Sequence, residues 1–280
     1  MPHPTPQLQL HLQALDAKQP DLARSEQTWD RRAQEVSRFE VAADDFALAL
    51  IERRMAPAGK RVLDISFGAG RYLEAFLRRG AQVAGVEISS GMLTQACKRL
   101  DDAGLPYEPA QLVQSSWEAL DLEAHAWVEA FDLVFLYMSP AISSAAMLDK
   151  VLRASRKAVS ITLYADRKDS LLTHLQAYFG LESRRLTADK GDDLYHIFNA
   201  LYLQGFFPEL QFEHRRRTQR HTIDNVFERY FSWLFKGEAA TQARRDELRA
   251  ILQELADRDG LVTDSEDTVG HLYLDKQLHR

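Results

Sequence analysis

The sequence predicts an α/β protein: a doubly wound, mostly parallel sheet of seven strands, with helical additions near the C-terminus. Three observations carry this. Short apolar runs alternate with helical patterns from residue 62 to residue 164. The stretches between those runs are long enough for the helical crossovers that parallel strands require. Small residues and acids follow the first two runs, at the strand ends where such sheets bind ligands.

Residues 27–56 read as helical, with Phe39, Ala43, Phe46, Leu50 and Ile51 recurring at three- and four-residue spacing. MAPAGK then breaks the pattern. VLDI (62–65) is a buried strand, 70–79 a helix, 82–88 a second strand, and 90–102 a helix capped by Ser89 or Ser90. Strands follow at 109–115 and 131–137, then a helix at 141–155 and a strand at 158–164. Segments 171–180 and 192–205 are helical, and Gly205 suits a C-cap. ELQFEHRRRTQRH (209–221) is an extended strand. Helices at 222–236 and 239–258 follow, and 268–278 alternates as the last strand. The expected organisation is a flexible tail over 1–24 and one domain over 25–280, with a helical insertion at about 222–258 between the last two strands.

The chain has 280 residues, 45% of them hydrophobic, which is ample for a large core. A net charge of −6 does not favour nucleic acid as a partner. One cysteine, Cys97, permits no internal disulfide. The N-terminus lacks the cationic and apolar regions of a signal peptide, and no apolar run reaches the ~20 residues of a membrane span. These features predict a cytoplasmic protein with no membrane partner.

The turn after the first strand, Asp64-Ile65-Ser66-Phe67-Gly68-Ala69-Gly70, decides the ligand class. A dinucleotide fingerprint needs a third glycine where Leu73 stands. A pyrophosphate would also face Asp64, and two anions ~4 Å apart repel by a few kcal/mol at intermediate dielectric. The site prefers positive charge. S-adenosylmethionine, with a sulfonium and an ammonium against one carboxylate, fits. Asp64 pairs with the cationic end, Gly68 and Gly70 admit the ligand close to the backbone, and the helix beginning near Gly70 offers amides to the carboxylate. Glu87 ends the second strand, where a carboxylate accepts from ribose hydroxyls.

V-L-D-I-S-F-G-A-G followed by V-A-G-V-E-I-S resembles the first two motifs of the class I S-adenosylmethionine-dependent methyltransferases, over roughly residues 27–165. Ser66 stands where that family's loop has its first glycine. The resemblance implies a Rossmann-like methyltransferase fold, S-adenosylmethionine as cofactor, and a cofactor site of Asp64, Ser66, Phe67, Gly68, Ala69, Gly70, Glu87, Ile88, Met92, Ser116 and Trp117. Ser116 falls where the family places an acid or amide near the adenine, and Trp117 is a candidate wall for that pocket. Trp29, Tyr137, Met138, Ser139 and Pro140 are the implied acceptor-pocket residues. Ser139 and Pro140 also read as the N-cap and first residue of the following helix.

The implied reaction is methyl transfer to a small-molecule acceptor by in-line displacement. Alignment is its main requirement. Tyr195 and His196, with His174 beside them, are the candidates for a general base. No acid follows the fourth strand, so no metal is expected. The basic run HRRRTQR (214–220) keeps RNA or protein methylation open as an alternative, and the serines at 66 and 116 keep open a non-catalytic relative serving as a binding partner. The aromatic stretch FERYFSWLF (227–235) reads as core, with an acceptor pocket or dimer interface as alternatives.

Overall fold

The computed structural model describes residues 4–17, 21–182, 191–235 and 237–280. Helices α1 (Pro6–Asp16), α2 (Leu22–Val36) and α3 (Phe46–Arg54) precede β1 (Arg61–Ile65). The chain continues through α4 (Arg71–Arg78), β2 (Gln82–Glu87), α5 (Ser90–Asp102), β3 (Leu112–Gln114), β4 (Phe131–Tyr137) and α6 (Ala145–Ala154). It then forms β5 (Ser155–Asp169), α7 (Ser170–Tyr178), α8 (Gly191–Leu203) and β6 (Glu209–His221). Helices α9 (Ile223–Leu234) and α10 (Gln242–Leu255) lead to β7 (Leu261–Asp275). The strands make one seven-stranded sheet in the order β3-β2-β1-β4-β5-β7-β6.

β1 pairs in parallel with β2 on one side and β4 on the other. Chain order therefore reverses between β1 and β4, which opens the crevice where sheets of this type take their ligands. In register, Asp64 stands beside Gly85 of β2 and Phe135 of β4. β4 is buried along six of its seven residues, as a central parallel strand covered on both faces must be. The acid in that run, Asp132, is satisfied by the Arg61 amide at 3.0 Å and the Arg156 guanidinium at 2.7 Å. α4 buries Leu73, Phe76 and Leu77 against the sheet, with Phe76 edge-on to Phe135 at 5.2 Å.

The chain forms two compact units. The first is Met1–Leu163, Asp193–Gln211 and Gly270–Arg280; the second is Tyr164–Asp192 and Phe212–Val269. β5, β6 and β7 each contribute residues to both. The second unit has its own core, in which α7, α9 and α10 bring together Leu175, Phe227, Tyr230, Phe231, Leu248 and Leu252. The aromatic stretch at 227–235 is thus largely core. Guanidinium groups of α10 cover its rim, with Arg245 4.5 Å over Phe231 and Arg249 4.6 Å over Phe227. The basic run in β6 is matched by acids. Arg215 pairs with Glu213 at 2.7 Å, Arg216 with Glu266 at 3.1 Å, and Arg220 with Asp257.

Several boundaries differ from the sequence reading. The tail expected over 1–24 contains α1, held by the fully buried Leu15, and the first three residues of α2; residues 1–3 and 18–20 lie outside the described residues. One domain was expected and two units form, because the long strands β5 and β7 extend well past the apolar runs that announce them. β7 begins at Leu261 through a polar stretch whose alternate residues Leu261, Thr263 and Asp267 are buried. The helix read over 27–56 is two helices, divided at 37–45, because Asp45 caps a new start by accepting from the Leu48 amide at 3.0 Å. The strand expected over 109–115 is three residues long, since Pro109 opens a 3₁₀ turn in its first half.

Candidate active site

Asp64 is the last residue but one of β1 and is 2% exposed. Its Oδ2 has no hydrogen-bond partner among the described residues. Burial pushes its carboxyl well above the usual carboxylate range, and the nearby Glu87 pushes it further. The loop beyond it turns through three left-handed residues, Ser66 (φ 64°), Gly68 (φ 56°) and Gly70 (φ 81°). For the two glycines this backbone is unstrained. For Ser66 it costs about 1–2 kcal/mol. The Ser66 amide donates to the Val86 carbonyl at 2.8 Å, which ties the loop to β2. Phe67 is buried over Gly85, where a Cβ would lie 2.4 Å from its ring.

Glu87 ends β2 and is also buried. Its Oε2 accepts from the Gly68 amide at 2.9 Å and its Oε1 from the Ser89 amide at 3.0 Å. Burial raises its pKa, against the pull of those amides. With about four acceptor sites, the carboxylate keeps capacity for a ligand hydroxyl beside these amides. The two carboxylates and the glycine turn thus stand together at the carboxyl ends of β1 and β2.

α2 packs over the start of α5. Trp29, partly buried, packs against the cluster formed by Ala33, Ala69 of the loop and Met92 of α5. Asp30 was not singled out by its sequence, yet its Oδ1 accepts from the Ser89 hydroxyl at 2.6 Å and the Gly91 amide at 2.9 Å. The Ser89 bond, then the Gly91 amide, hold its carboxyl below the usual range. Of the two serines considered as the α5 cap, Ser89 is the one that accepts from the Met92 amide, at 3.0 Å.

On the β4 side, Tyr137 ends the strand and Met138 and Ser139 follow it. Met138 has φ 53° and donates its amide to the Thr162 carbonyl at 2.8 Å. Ser139 is 5% exposed; its hydroxyl donates to Ser66 Oγ at 2.9 Å and accepts from the Ala141 amide at 3.1 Å. It does not cap a helix. α6 starts four residues after Ala141 and is capped by Ser144, so Pro140 is an exposed loop residue. Three residues directly after the glycine turn or before α3 join this side. Tyr72 donates to Asp45 at 2.9 Å, its ring lies 4.5 Å from Tyr137, and Arg71 stacks 5.0 Å over both rings. Burial first, then Tyr137, raises the Tyr72 pKa.

A methyltransferase-domain family model matches residues 62–160, the span that holds both acids and the two loops. This span of the chain resembles methyltransferase domains. It is 33% identical over 106 residues to a ubiquinone biosynthesis O-methyltransferase of Stutzerimonas stutzeri, covering 38% of this chain and 42% of that protein. It is 41% identical over 64 residues to a dTDP-3-amino-3,4,6-trideoxy-alpha-D-glucopyranose N,N-dimethyltransferase of Streptomyces venezuelae, covering 23% and 27%. The chain thus spans less than half the length of the curated relatives it matches. The crystal structure of the YcgJ protein of Bacillus subtilis shares the fold, with a TM-score of 0.51 at 15% identity over 82% of this chain and 97% of that one.

Some sequence candidates stand elsewhere. Trp117 is 3% exposed and turned to α6, where its Nε1 donates to the Met147 carbonyl at 3.4 Å and Lys150 lies 4.8 Å over its ring. Ser116 caps the turn after β3 by accepting from the Ala119 amide. Ile88, half-buried, follows Glu87 directly, and its amide supports that carboxylate. Tyr195 is 58% exposed on α8, and His196 meets His11 of α1 with 3.0 Å between their Nδ1 atoms. His174 is exposed on α7, in the second unit. The histidine beside the β4 loop is His271 of β7, which is 1% exposed, bonded to Thr162 at 3.0 Å and 4.7 Å from the Phe46 ring. A lone histidine in an alternating strand carries no sequence signal that separates it from core.

Proposed function

We propose that this protein transfers a methyl group from S-adenosylmethionine to a small-molecule acceptor. The observation that carries this reading is Asp64: a carboxylate buried with one oxygen unpartnered, beside a left-handed glycine turn that leads into a helix. Such a group calls for a cationic ligand, because a buried unpaired charge is costly. A sulfonium with an ammonium meets that demand; a pyrophosphate does not. Asp64 would hold the ammonium, Glu87 the ribose hydroxyls, and the amides at the start of α4 the carboxylate. Ala69, Met92 and Trp29 offer the apolar cover.

The cofactor, when bound, supplies an electrophilic methyl group on a positively charged sulfur. The acceptor attacks the methyl carbon opposite the breaking carbon–sulfur bond, and the sulfur leaves neutral. The protein's share is then to orient and to exclude water, effects worth roughly 7–11 kcal/mol in well-aligned systems. The loops after β1 and β4 face each other across the crevice and are suited to this. Tyr137, Met138 and Ser139 form the acceptor side, with Tyr72 and Arg71 added. The ion pairs of the β6 arginines within the second unit support a small molecule over RNA. Among the described residues no helix is long and apolar enough to cross a membrane, and with the lone cysteine we take the protein to be cytoplasmic.

The direct test is calorimetric titration with S-adenosylmethionine, S-adenosylhomocysteine and NAD. Micromolar binding of the first two and none of NAD is expected, followed by an acceptor screen with radiolabelled methyl groups. Binding of NAD alone, or of none, overturns the reading. Binding should also depend on pH. In the free protein Asp64 keeps its proton above the usual carboxylate range, and a cation beside it drives the proton off. Affinity for S-adenosylmethionine is therefore expected to rise as pH climbs through that raised pKa. Protons released on binding, measured by calorimetry in buffers of different ionisation heat, check the sign.

A further inference from the structure

We infer that the Ser66–Ser139 hydroxyl pair is a positioning device that couples the cofactor loop to the acceptor loop, an inference that rests on the methyltransferase reading above. Ser66 holds a left-handed backbone that glycine adopts freely and serine does not. Its side chain must therefore offset the strain, and strained residues kept in this way cluster at functional sites. Among the described residues its hydroxyl bonds to Ser139. That bond spans the crevice between the ends of β1 and β4, where chain order reverses. Ser139 in turn is buried, and it grips its own loop by accepting from the Ala141 amide. The residue between strand and serine, Met138, is a second non-glycine in the left-handed region. It is fastened to β5 through the Thr162 carbonyl. Two strained residues on facing loops, joined hydroxyl to hydroxyl, make the acceptor side follow the state of the cofactor side.

Hydrogen exchange on the full chain, with and without S-adenosylhomocysteine, tests this in the wild type, Ser66→Gly and Ser139→Ala. Glycine suits φ 64°, so Ser66→Gly is expected to melt no lower than the wild type, and each variant is compared at saturating ligand. In the wild type the ligand should slow exchange at 64–70 and also at 137–144. In Ser66→Gly the protection at 64–70 should persist and that at 137–144 should vanish. Ser139→Ala, which leaves the Ser66 backbone as it is, should behave the same way and so separates the lost hydroxyl from the freedom of glycine. Undiminished protection at 137–144 in both variants overturns the coupling. Wild-type protection at 64–70 alone also overturns it while leaving the cofactor reading intact, and protection at neither segment overturns both.

Discussion

Asp64→Asn is expected to weaken binding of S-adenosylmethionine by about 1.5–3 kcal/mol, roughly ten- to 150-fold, the range for hydrogen bonds to charged groups. Asparagine fills the same space, so packing around β1 is kept and the loss isolates the charge. The same change should leave the free protein as stable or more stable at neutral pH. The wild-type carboxylate is buried, lacks a partner at Oδ2 and faces the charge of Glu87. Its pKa is raised on folding, so the folded chain holds a proton that the unfolded chain releases. The stability of the free wild type therefore falls as pH rises from the ordinary carboxylate range through that raised value. Asp64→Asn removes this slope. Thermal melts of both proteins across that pH range, beside calorimetry of ligand binding, give the two numbers. A variant that binds as tightly as the wild type removes Asp64 from the site.

Gly70→Ala is expected to destabilise the first unit by about 2–5 kcal/mol, combining a left-handed penalty of ~1–2 with an overpacking cost of ~1–3. Gly70 has φ 81°, and a Cβ there would sit 2.8 Å from Ala96 Cβ and 3.0 Å from Ala96 Cα. Ala96 is fully buried on α5, so neither side can withdraw cheaply. A double-mutant cycle with Ala96→Gly separates the causes. If the collision matters, the cost of Gly70→Ala shrinks in that background; if it does not shrink, backbone conformation alone explains the loss. Gly68 differs, since nothing lies within 4 Å of a Cβ there and only its φ of 56° argues for glycine.

The parts of the site made by consecutive residues were legible in the sequence. Asp64, Gly68, Gly70 and Glu87 lie on two strand–turn–helix units, with each acid at or next to the end of its strand. The β4 loop was legible in position, but not in the role of Ser139, because Ser144 four positions beyond Pro140 is an equally good cap. Contacts between distant segments were not legible. Asp30 reaches Ser89 across 59 residues, and Asp45 reaches Tyr72 across 27. Asp30 reads as one more charge on an exposed helix until the partner helix is in place. Trp117 also has contacts its neighbourhood in the sequence did not announce, with Met147 and Lys150. The second unit was hidden because β5 and β7 continue through charged residues, where apolar alternation fades.

The strand order has a consequence for synthesis. β7 is the last strand to leave the ribosome, yet its place is between β5 and β6. Until residues 261–275 emerge, one edge of β5 stays bare and β6 has no neighbour to join. The nascent chain therefore carries an unpaired edge for longer than a sheet that grows strand by strand, the condition under which edge-to-edge aggregation competes with folding. The charged residues along β6, Arg215 to Arg217 above all, are placed where they keep that waiting strand in solution.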